Sequence, residues 1–262
     1  MKSLRIAATG MQAQELNVEV ISNNIANMRT TGFKQVRAEF QDLLYQDIRR
    51  VGSDSSSSGN IVPTGLQVGY GVKAAATSRI MSQGNLQQTD KELDVAIRGE
   101  GFFAITLPTG QTAYTRDGSF ELDANGALVT LDGYFVQPNI TVPNNARSIT
   151  INRQGTVQVL TDTSTTPTDL GQIQLSRFVN KAGLQSVGDN LYLETPASGT
   201  AITGVADEAG FGSILQSFLE DANVNAVSEL SSLIAAPRAF EMNAKVFSAS
   251  DDMMSTTSNI VR

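Results

Sequence analysis

The sequence predicts an α+β protein in which the N- and C-terminal helices pair as a coiled coil, with an all-β domain inserted between them. Two observations predict this fold. Apolar residues recur every seven positions near both ends of the chain, and short apolar or alternating runs separated by Gly-containing turns fill the middle. We expect residues 1–45 to form an N-terminal helical segment, 46–92 a linker and extended stretch, 93–210 the β domain and 211–262 the C-terminal helix.

The N-terminal helix is predicted by two neighbouring apolar lines, which together make a seam about four heptads long. The seam residues on this helix are Leu4, Met11, Val18, Ile21, Ile25 and Met28. Asn-rich residues 22–27 and Gly32 follow the seam. Because polar side chains compete for backbone hydrogen bonds and Gly permits positive φ, we expect the helix to end in a turn there.

The middle of the chain has the pattern of short strands. Apolar or alternating runs at 93–98, 102–107, 149–151, 157–160 and 191–193 are separated by turn residues. The turn signals are Thr109-Gly110, Asp117-Gly118, Asn125-Gly126 and Asp132-Gly133. The pattern therefore predicts an all-β region. By composition, residues 50–65 are a linker, and 161–169 are expected to be an exposed loop.

The C-terminal helix is predicted by a second heptad line. Its seam residues are Leu230, Leu233, Phe240, Phe247 and Met254. Pro237 lies inside this pattern and is expected to kink the helix or remove one backbone hydrogen bond. Neither amphipathic helix can bury its seam alone, so mutual pairing is the simplest solution. Small residues on the remaining faces suit close packing against neighbouring subunits, and a head-to-tail contact that does not close produces a filament.

Composition excludes several classes of protein. The 262-residue chain is 40% hydrophobic, which permits a sizeable buried core, and its net charge of −7 does not suit a nucleic-acid binder. It contains no Cys and no His, which removes disulfides, thiol nucleophiles and imidazole or thiolate metal ligands. No stretch is apolar enough to predict membrane insertion. The first residues do not form a conventional signal peptide, so any export is expected to proceed without a cleaved signal.

Two weak chemical motifs have simpler structural explanations. Residues 121–132 partly match a calcium-loop template, but both key acidic positions are altered and the flanks have strand patterns, so an Asn-Gly hairpin is favoured. Asp251-Asp252, or Asp117 near Glu121, could in principle serve as acid and base in glycoside cleavage. Adjacent carboxylates on a helix are usually a solvated face. We therefore predict no catalytic residue, no metal and no cofactor.

Several local sequences closely resemble the signatures of bacterial flagellar rod and hook proteins. At the N-terminus these are ATGMQAQ at 8–14, SNNIAN at 22–27, TGFK at 31–34 and FQDLLY at 40–45. In the middle they are GNL at 84–86, DVAI at 94–97, GEGFF at 99–103 and YTRDGSF at 114–120. Near the C-terminus, NVN at 223–225 and RAFE at 238–241 continue the resemblance. It covers nearly the whole chain, and the length of the sequence looks most like the members that form the distal rod.

The resemblance implies a structural subunit of a tubular helical homopolymer that acts as a drive shaft. Paired terminal helices would form its inner layer and β domains its outer layer. It also implies proximal rod proteins, the hook protein, the P- and L-ring bushing and the flagellar type III export apparatus as partners. The implied location is the flagellar basal body, from periplasm to outer membrane. The resemblance further implies a rod-specific stretch associated with a straight, stiff tube, with Gln46, Arg49, Arg50, Ser53, Asp54 and Thr64 as its candidate residues.

Other assignments stay open on sequence alone. Within the family, the alternatives are a proximal rod subunit and the hook protein, which usually has a larger middle region. Outside it, the alternative is a secreted β-rich adhesin or polysaccharide-acting enzyme, although the absence of Trp disfavours a carbohydrate cleft. The chain also departs from the family pattern, because Pro237 stands where Gln is usual and Phe240 where Tyr is usual.

Overall fold

The computed structural model describes residues 2–50, 64–162 and 166–260, and the chain divides into two compact units. Unit 1 consists of the described parts of 1–25, 36–78 and 226–262. Unit 2 consists of 26–35 and the described parts of 79–225. Each unit therefore takes residues from separate stretches of the chain.

Two long helices belong to unit 1: α1 (Lys2–Ala26, of which Ala26 lies in unit 2) and α2 (Ala226–Ile260). The strands, in chain order, are β1 (Val36–Asp42), β2 (Tyr45–Arg49), β3 (Leu66–Gly69), β4 (Val72–Arg79), β5 (Leu86–Gln88), β6 (Val95–Arg98), β7 (Phe102–Thr106), β8 (Thr112–Thr115), β9 (Glu121–Leu122), β10 (Leu128–Val129), β11 (Phe135–Val136), β12 (Ala146–Ile151), β13 (Thr156–Thr161), β14 (Thr168–Gln172), β15 (Gln174–Arg177), β16 (Gln185–Gly188), β17 (Leu191–Leu193), β18 (Ile202–Val205), β19 (Ser213–Gln216) and β20 (Phe218–Glu220). The α+β class with terminal helices and a β-rich middle is confirmed.

The helices are shorter than the segments in which they were expected. Helix α1 ends at Ala26, and residues 36–42, inside the predicted segment 1–45, form strand β1. The apolar period changes there from seven to two, because Val36, Ala38 and Phe40 alternate with polar residues. At the other end, β19 and β20 lie within 211–262, and α2 begins only at Ala226.

Pro237 lies inside α2 without ending it. Its ring nitrogen has no proton to donate, so one hydrogen bond of the helix backbone is missing there.

Unit 2 is built on a nine-stranded sheet with the order β16-β17-β8-β7-β11-β10-β9, in which β15 also pairs with β7 and β18 with β15. Smaller sheets join β12-β13-β14, β19-β6 and β20-β5. The expected Asn125-Gly126 hairpin is confirmed, because β9 and β10 pair across it with Leu128 opposite Leu122. The turns at Gly110 and Gly133 likewise lie between paired strands.

The hydrophobic core lies in unit 2. Its buried residues come from the nine-stranded sheet and from the strands packed against it, and include Val95, Ile97, Phe103, Ile105, Phe120, Leu128, Val136, Val157, Leu175 and Ile214. A second cluster gathers aromatic rings, among which Tyr114 and Phe178 meet edge to face with centroids 4.7 Å apart. Alternating positions of β7 supply the two clusters, Phe103 and Ile105 the first and Phe102 and Ala104 the second, so both faces of this strand are buried.

Unit 1 combines the two helices with two ribbons, β1-β4 and β2-β3. The helices approach one another at two points. A Cβ placed on Gly10 would lie 2.9 Å from Nδ2 of Asn243, and Nδ2 of Asn24 donates to Oε2 of Glu229 at 3.3 Å. From 10 to 24 the chain moves forward along α1, while the partners move back from 243 to 229. The two helices therefore run antiparallel.

Candidate functional site

Glu220 is a fully buried carboxylate in unit 2 that binds two cations. Its Oε1 lies 2.5 Å from Nζ of Lys34, and its Oε2 lies 3.1 Å from Nη1 of Arg116. The backbone N–H of Gly84 donates to Oε1 at 2.9 Å. We call Lys34, Arg116 and Glu220 the Glu220 cluster. Its charges have almost no solvent access, so they are screened mainly by one another.

Both cations of the Glu220 cluster have further partners. Nζ of Lys34 donates to the carbonyl of Ser82 at 2.8 Å. Nη2 of Arg116 donates to the carbonyl of Gly99 at 2.7 Å, and the guanidinium lies 5.3 Å from the ring centroid of Phe102. Burial lowers the pKa of Lys34 from its ordinary value, while the charge and hydrogen bond of Glu220 oppose that shift. The cluster is thus held by both ionic and backbone contacts.

Asn223 forms a second polar centre beside the cluster. Its Oδ1 accepts the N–H of Gln35 at 2.7 Å, and its Nδ2 donates to the carbonyls of Ile80 at 2.7 Å and Ser82 at 3.1 Å. Backbone bonds add to this network: the N–H of Ile80 donates to the carbonyl of Gln35, and that of Gly32 to the carbonyl of Glu220. One amide side chain therefore joins three separate segments of the chain.

The three segments joined in this way are 30–35, 79–84 and 220–225. They adjoin three of the four points where the chain passes between the units, at 35–36, 78–79 and 225–226; the fourth passage is at 25–26. We call them the three junction segments. Gly32 is required in the first, because its φ is +69° and an added Cβ would lie 2.7 Å from the backbone nitrogen of Asp117.

A tight turn at Asp189-Asn190 supports the first junction segment. Both residues have positive φ, of 50° and 56°. Nδ2 of Asn190 donates to the carbonyl of Thr31 at 3.0 Å, while its own carbonyl accepts the hydroxyl of Thr115 at 2.9 Å. Nearby, burial raises the pKa of Asp117, although hydrogen bonds from the hydroxyl and N–H of Ser119 and from Asn190 partly offset the shift.

The structure brings together five of the ten segments on which the family resemblance depends. Residues 31–34, 84, 99–103, 114–120 and 223 all meet at the Glu220 cluster or Asn223. Sequence reasoning did not single out Glu220, which lies 186 positions from Lys34. The signal available in the sequence was a carboxylate directly after two apolar residues, at the end of Phe218–Glu220. An ionisable residue in such a run is buried only when it is paired.

The predicted seam residues have varied environments, and all of them belong to unit 1 except Met28, which lies in unit 2 beyond the end of α1. Ile21 is buried, while Leu4, Met11, Val18, Ile25 and Leu233 are half-buried. Met28, Leu230, Phe240, Phe247 and Met254 are exposed. On α2 the buried positions are Glu229, Ala236 and Ser250. They are spaced by multiples of seven and form a line adjacent to the predicted seam. The role of the predicted seam as a subunit interface stays a prediction.

The predicted rod-specific stretch falls partly outside the described residues, since Ser53 and Asp54 lie between 51 and 63. Gln46 and Arg49 belong to β2, which pairs with β3 in antiparallel register from Tyr45 opposite Gly69 to Arg49 opposite Leu66. Gln46 accepts a hydrogen bond from Lys2, and Arg50 and Thr64 are exposed. The flanks of the stretch thus form the two arms of an exposed ribbon.

The calcium-like segment does not belong to a cluster of metal-ligating side chains in the part of the chain that the structure describes. Within 2–50, 64–162 and 166–260, no group of three or more acidic side chains is placed to hold a metal ion. The calcium-like segment is a hairpin in which Oδ1 of Asp123 accepts the N–H groups of Asn125 and Ala127. Neither described helix combines the length and apolar character that a membrane crossing requires.

Comparison with known families places the chain among flagellar axial proteins. Residues 4–34 match the flagella basal body rod protein family, residues 96–159 the flagellar hook protein FlgE/F/G D1 domain, and residues 215–260 the flagellar basal body rod FlgEFG protein C-terminal family. The three matches cover most of both helices and strands β7 to β11 of the nine-stranded sheet. They define the class of protein, a structural component of the rod and hook.

Curated relatives narrow that class. The chain is 58% identical to the flagellar basal-body rod protein FlgG of Caulobacter vibrioides, over 99% of both chains. It is 50% identical to FlgG of Agrobacterium fabrum over 98% of both, and 48% identical to FlgG of Borreliella burgdorferi over 100% of this chain and 99% of the relative. The chain therefore belongs to the FlgG family of flagellar basal-body rod proteins. It is a structural subunit of the distal rod and not an enzyme.

Proposed function

We propose that this rod subunit polymerises through its terminal helices into a tubular drive shaft that transmits torque from the motor to the hook. One observation carries the proposal: α2 exposes large apolar side chains along its length. Val227, Ile234, Met242 and Met253 are 75%, 59%, 62% and 63% exposed. Exposed apolar surface on this scale is typical of protein interaction sites. Contacts with further copies would bury it.

Within one subunit, we propose that α1 and α2 pair as an antiparallel coiled coil. The two contacts, Gly10 with Asn243 and Asn24 with Glu229, support a common register. On α1 the contact residues Gly10 and Asn24 are fourteen positions apart, and on α2 Glu229 and Asn243 are also fourteen apart. A spacing of two heptads is what a heptad seam requires. The pair uses small and polar side chains there, which leaves larger apolar residues such as Phe240 and Phe247 available to other subunits.

The assembled shaft defines the proposed partners and location. It would join the proximal rod proteins to the hook protein, turn inside the P- and L-ring bushing and span from the periplasm to the outer membrane. The flagellar type III export apparatus would deliver its subunits without cleavage of a signal peptide. Residues 1–45 and 211–262 would form most of the inner layer, and 93–210 the outer layer.

The β2-β3 ribbon is the proposed basis of a straight, stiff tube. Leu44, Tyr45, Ile48 and Leu66 are exposed on it. An isolated two-stranded ribbon is only marginally stable in water, so this one is expected to order fully against a neighbouring subunit. Gln46, Arg49, Arg50 and Thr64, together with Ser53 and Asp54, would contribute to that contact.

Electron cryotomography of basal bodies in a strain lacking this gene, with a motility assay, tests the proposal. We expect a short rod without a hook. A complete rod that lacks only its hook would instead indicate a hook function, and normal motile flagella would contradict an axial role.

A matched pair of variants tests the polymer contact itself. Met242→Glu should block rod assembly, whereas Val179→Glu, at an exposed apolar residue of unit 2, should permit it. The monomer should fold in both cases, because both side chains are exposed. Rods of normal length from the Met242→Glu strain would exclude this face of α2 from the contact.

A further inference from the structure

Three of the four passages of the chain between the units, at 35–36, 78–79 and 225–226, start or end at the three junction segments. In unit 2 these segments are bound to one another and not only to their sequence neighbours. The network runs from Gln35 to Ile80 and Asn223, and from Glu220 to Gly32, Lys34 and Gly84. A force applied to any one passage is therefore shared by the other segments.

The charge balance of the Glu220 cluster makes this network sensitive to one carboxylate. Two buried cations share it, and both lie within 3.1 Å of its oxygens. Without the negative charge, two like charges would remain close together in a site without solvent. Removal of one partner from a buried ionic group is strongly destabilising for that reason.

Close backbone approach completes the arrangement. A Cβ on Gly84 would lie 1.9 Å from the carbonyl oxygen of Asp221, so the second and third junction segments touch main chain to main chain. Buried charges with several geometric constraints hold one arrangement and resist small displacements. Side chains in a purely apolar contact could slide more easily.

We propose that the Glu220 cluster is a mechanical joint, in which Glu220 is the positioning residue that fixes the three junction segments relative to one another inside unit 2. The inference rests on the proposed function for its consequence: these covalent passages connect the two units, so they carry a share of any torque that is transmitted from one unit to the other. With the joint intact, the passages leave unit 2 as a rigid set. Without the joint, each passage can move independently of the others.

Hydrogen exchange on the purified full-length chain tests the joint directly. In Glu220→Gln, the amides of Gly32, Ile80 and Asn223 should exchange about a hundredfold faster, since loss of one partner of a buried ion pair is costly. The amides of Gly155 and Ile173, which are hydrogen-bonded elsewhere in unit 2, are the internal reference. They should accelerate much less.

Two further variants keep this test decisive. Ile140→Ala weakens the core away from the junction segments and should not accelerate their amides more than the reference amides. Lys34→Met leaves a one-to-one pair of Glu220 and Arg116, so it should fold even if Glu220→Gln does not. It should accelerate exchange of Ile80 about tenfold, as expected for loss of one charged hydrogen-bond partner. Equal acceleration of junction and reference amides, or none at the junction, would overturn the proposal.

The consequence for the shaft is measured in cells. Rods that contain the Lys34→Met subunit should reach normal length but twist further under the same torque, seen as larger angular fluctuations of a bead on the hook of a stalled motor. Unchanged fluctuations would contradict a mechanical role. If the strain lacking the gene has normal flagella, the proposed function fails, while the exchange results still decide whether the joint exists.

Discussion

The two units of the molecule bury very different kinds of residue. Unit 2 buries large apolar side chains completely: Val95, Ile97 and Phe103 have no solvent exposure. Among the described residues of unit 1, the buried apolar side chains are Ala7, Ala13, Ile21 and Ala236, of which three are alanines. Unit 2 therefore has the core of an independent domain, whereas unit 1 has the surface of a component that gains its apolar contacts from other copies.

The difference shows how one chain can combine a stable monomer with a polymer. Burial contributes about 25 cal/mol for each Å² of apolar surface removed from water. Unit 2 gains this within one subunit. Unit 1 leaves Phe240, Phe247 and Met242 exposed, so most of its gain is available only on assembly.

Truncation in the core of unit 2 should give the largest effect. Phe103→Ala removes a ring that is fully buried and packs edge to face on Phe120, with centroids 5.1 Å apart. We expect the free energy of unfolding to fall by about 3–5 kcal/mol, measured by chemical denaturation of the monomer. A loss below 1 kcal/mol would contradict the description of unit 2 as the folded core.

A backbone change at the first junction segment should rank second. Gly32→Ala adds a Cβ that would clash with the backbone of Arg116 and Asp117 at a φ of +69°. We expect a loss of about 3 kcal/mol. The control is Gly110→Ala, at a φ of +82° with nothing within 4 Å of the added Cβ, which should cost about 1 kcal/mol. Equal thermal shifts for the two would mean that the segment is not fixed to unit 2.

A titration should resolve a smaller effect at Asp117. Burial raises its pKa, so the protonated form is favoured in the folded protein. That stability is present at low pH and is lost as the pH rises through the raised value. Asp117→Asn should therefore be more stable than the parent at pH 7, and the difference should close as the pH falls toward the ordinary value of 3.8.

The measurement is thermal unfolding of both proteins from pH 4 to pH 8. Asp132→Asn, at an exposed residue, is the control for the loss of one negative charge. A constant difference between parent and Asp117→Asn across this range would contradict the buried carboxylate.

The smallest effect on monomer stability is expected in unit 1. Phe247→Ala removes a ring that is 41% exposed, so the free energy of unfolding should change by less than about 1 kcal/mol. The same variant should reduce rod assembly, measured as the fraction of basal bodies with a complete rod. If it unfolds the monomer as strongly as Phe103→Ala does, unit 1 has its own core and the comparison fails.

The sequence pattern allowed prediction of the local elements but not of the long-range polar contacts. Strand β7 follows from a short apolar run between turn residues, and the Asn125-Gly126 hairpin follows from turn chemistry, and both signals act over a few residues. The contact of α1 with α2 involves Gly10, Asn24 and Asn243, which a search for large apolar residues passes over. At these contacts the side chain of Asn243 reaches Gly10, and that of Asn24 reaches Glu229.

Local sequence patterns could not predict the Glu220 cluster, for a different reason. Lys34, Arg116 and Glu220 come from three distant parts of the chain. Each is a residue type that is usually found on the surface. Their pairing depends on topology, which brings β20 beside β5 and places Arg116, just after β8, within hydrogen-bond distance of Glu220 in β20. Only their presence in or near segments typical of the family pointed to the region.

The discontinuity of unit 1 also sets an order of folding. Most of unit 2 is one continuous stretch, 79–225, so its strands can pair soon after they are synthesised or delivered. Helix α1 comes first and α2 last, with more than two hundred residues between the contact partners Asn24 and Glu229. Contacts between such distant residues form late, because loop closure costs entropy before they contribute. The helices therefore pair last, and their shared apolar surface forms after the strands of unit 2 have folded.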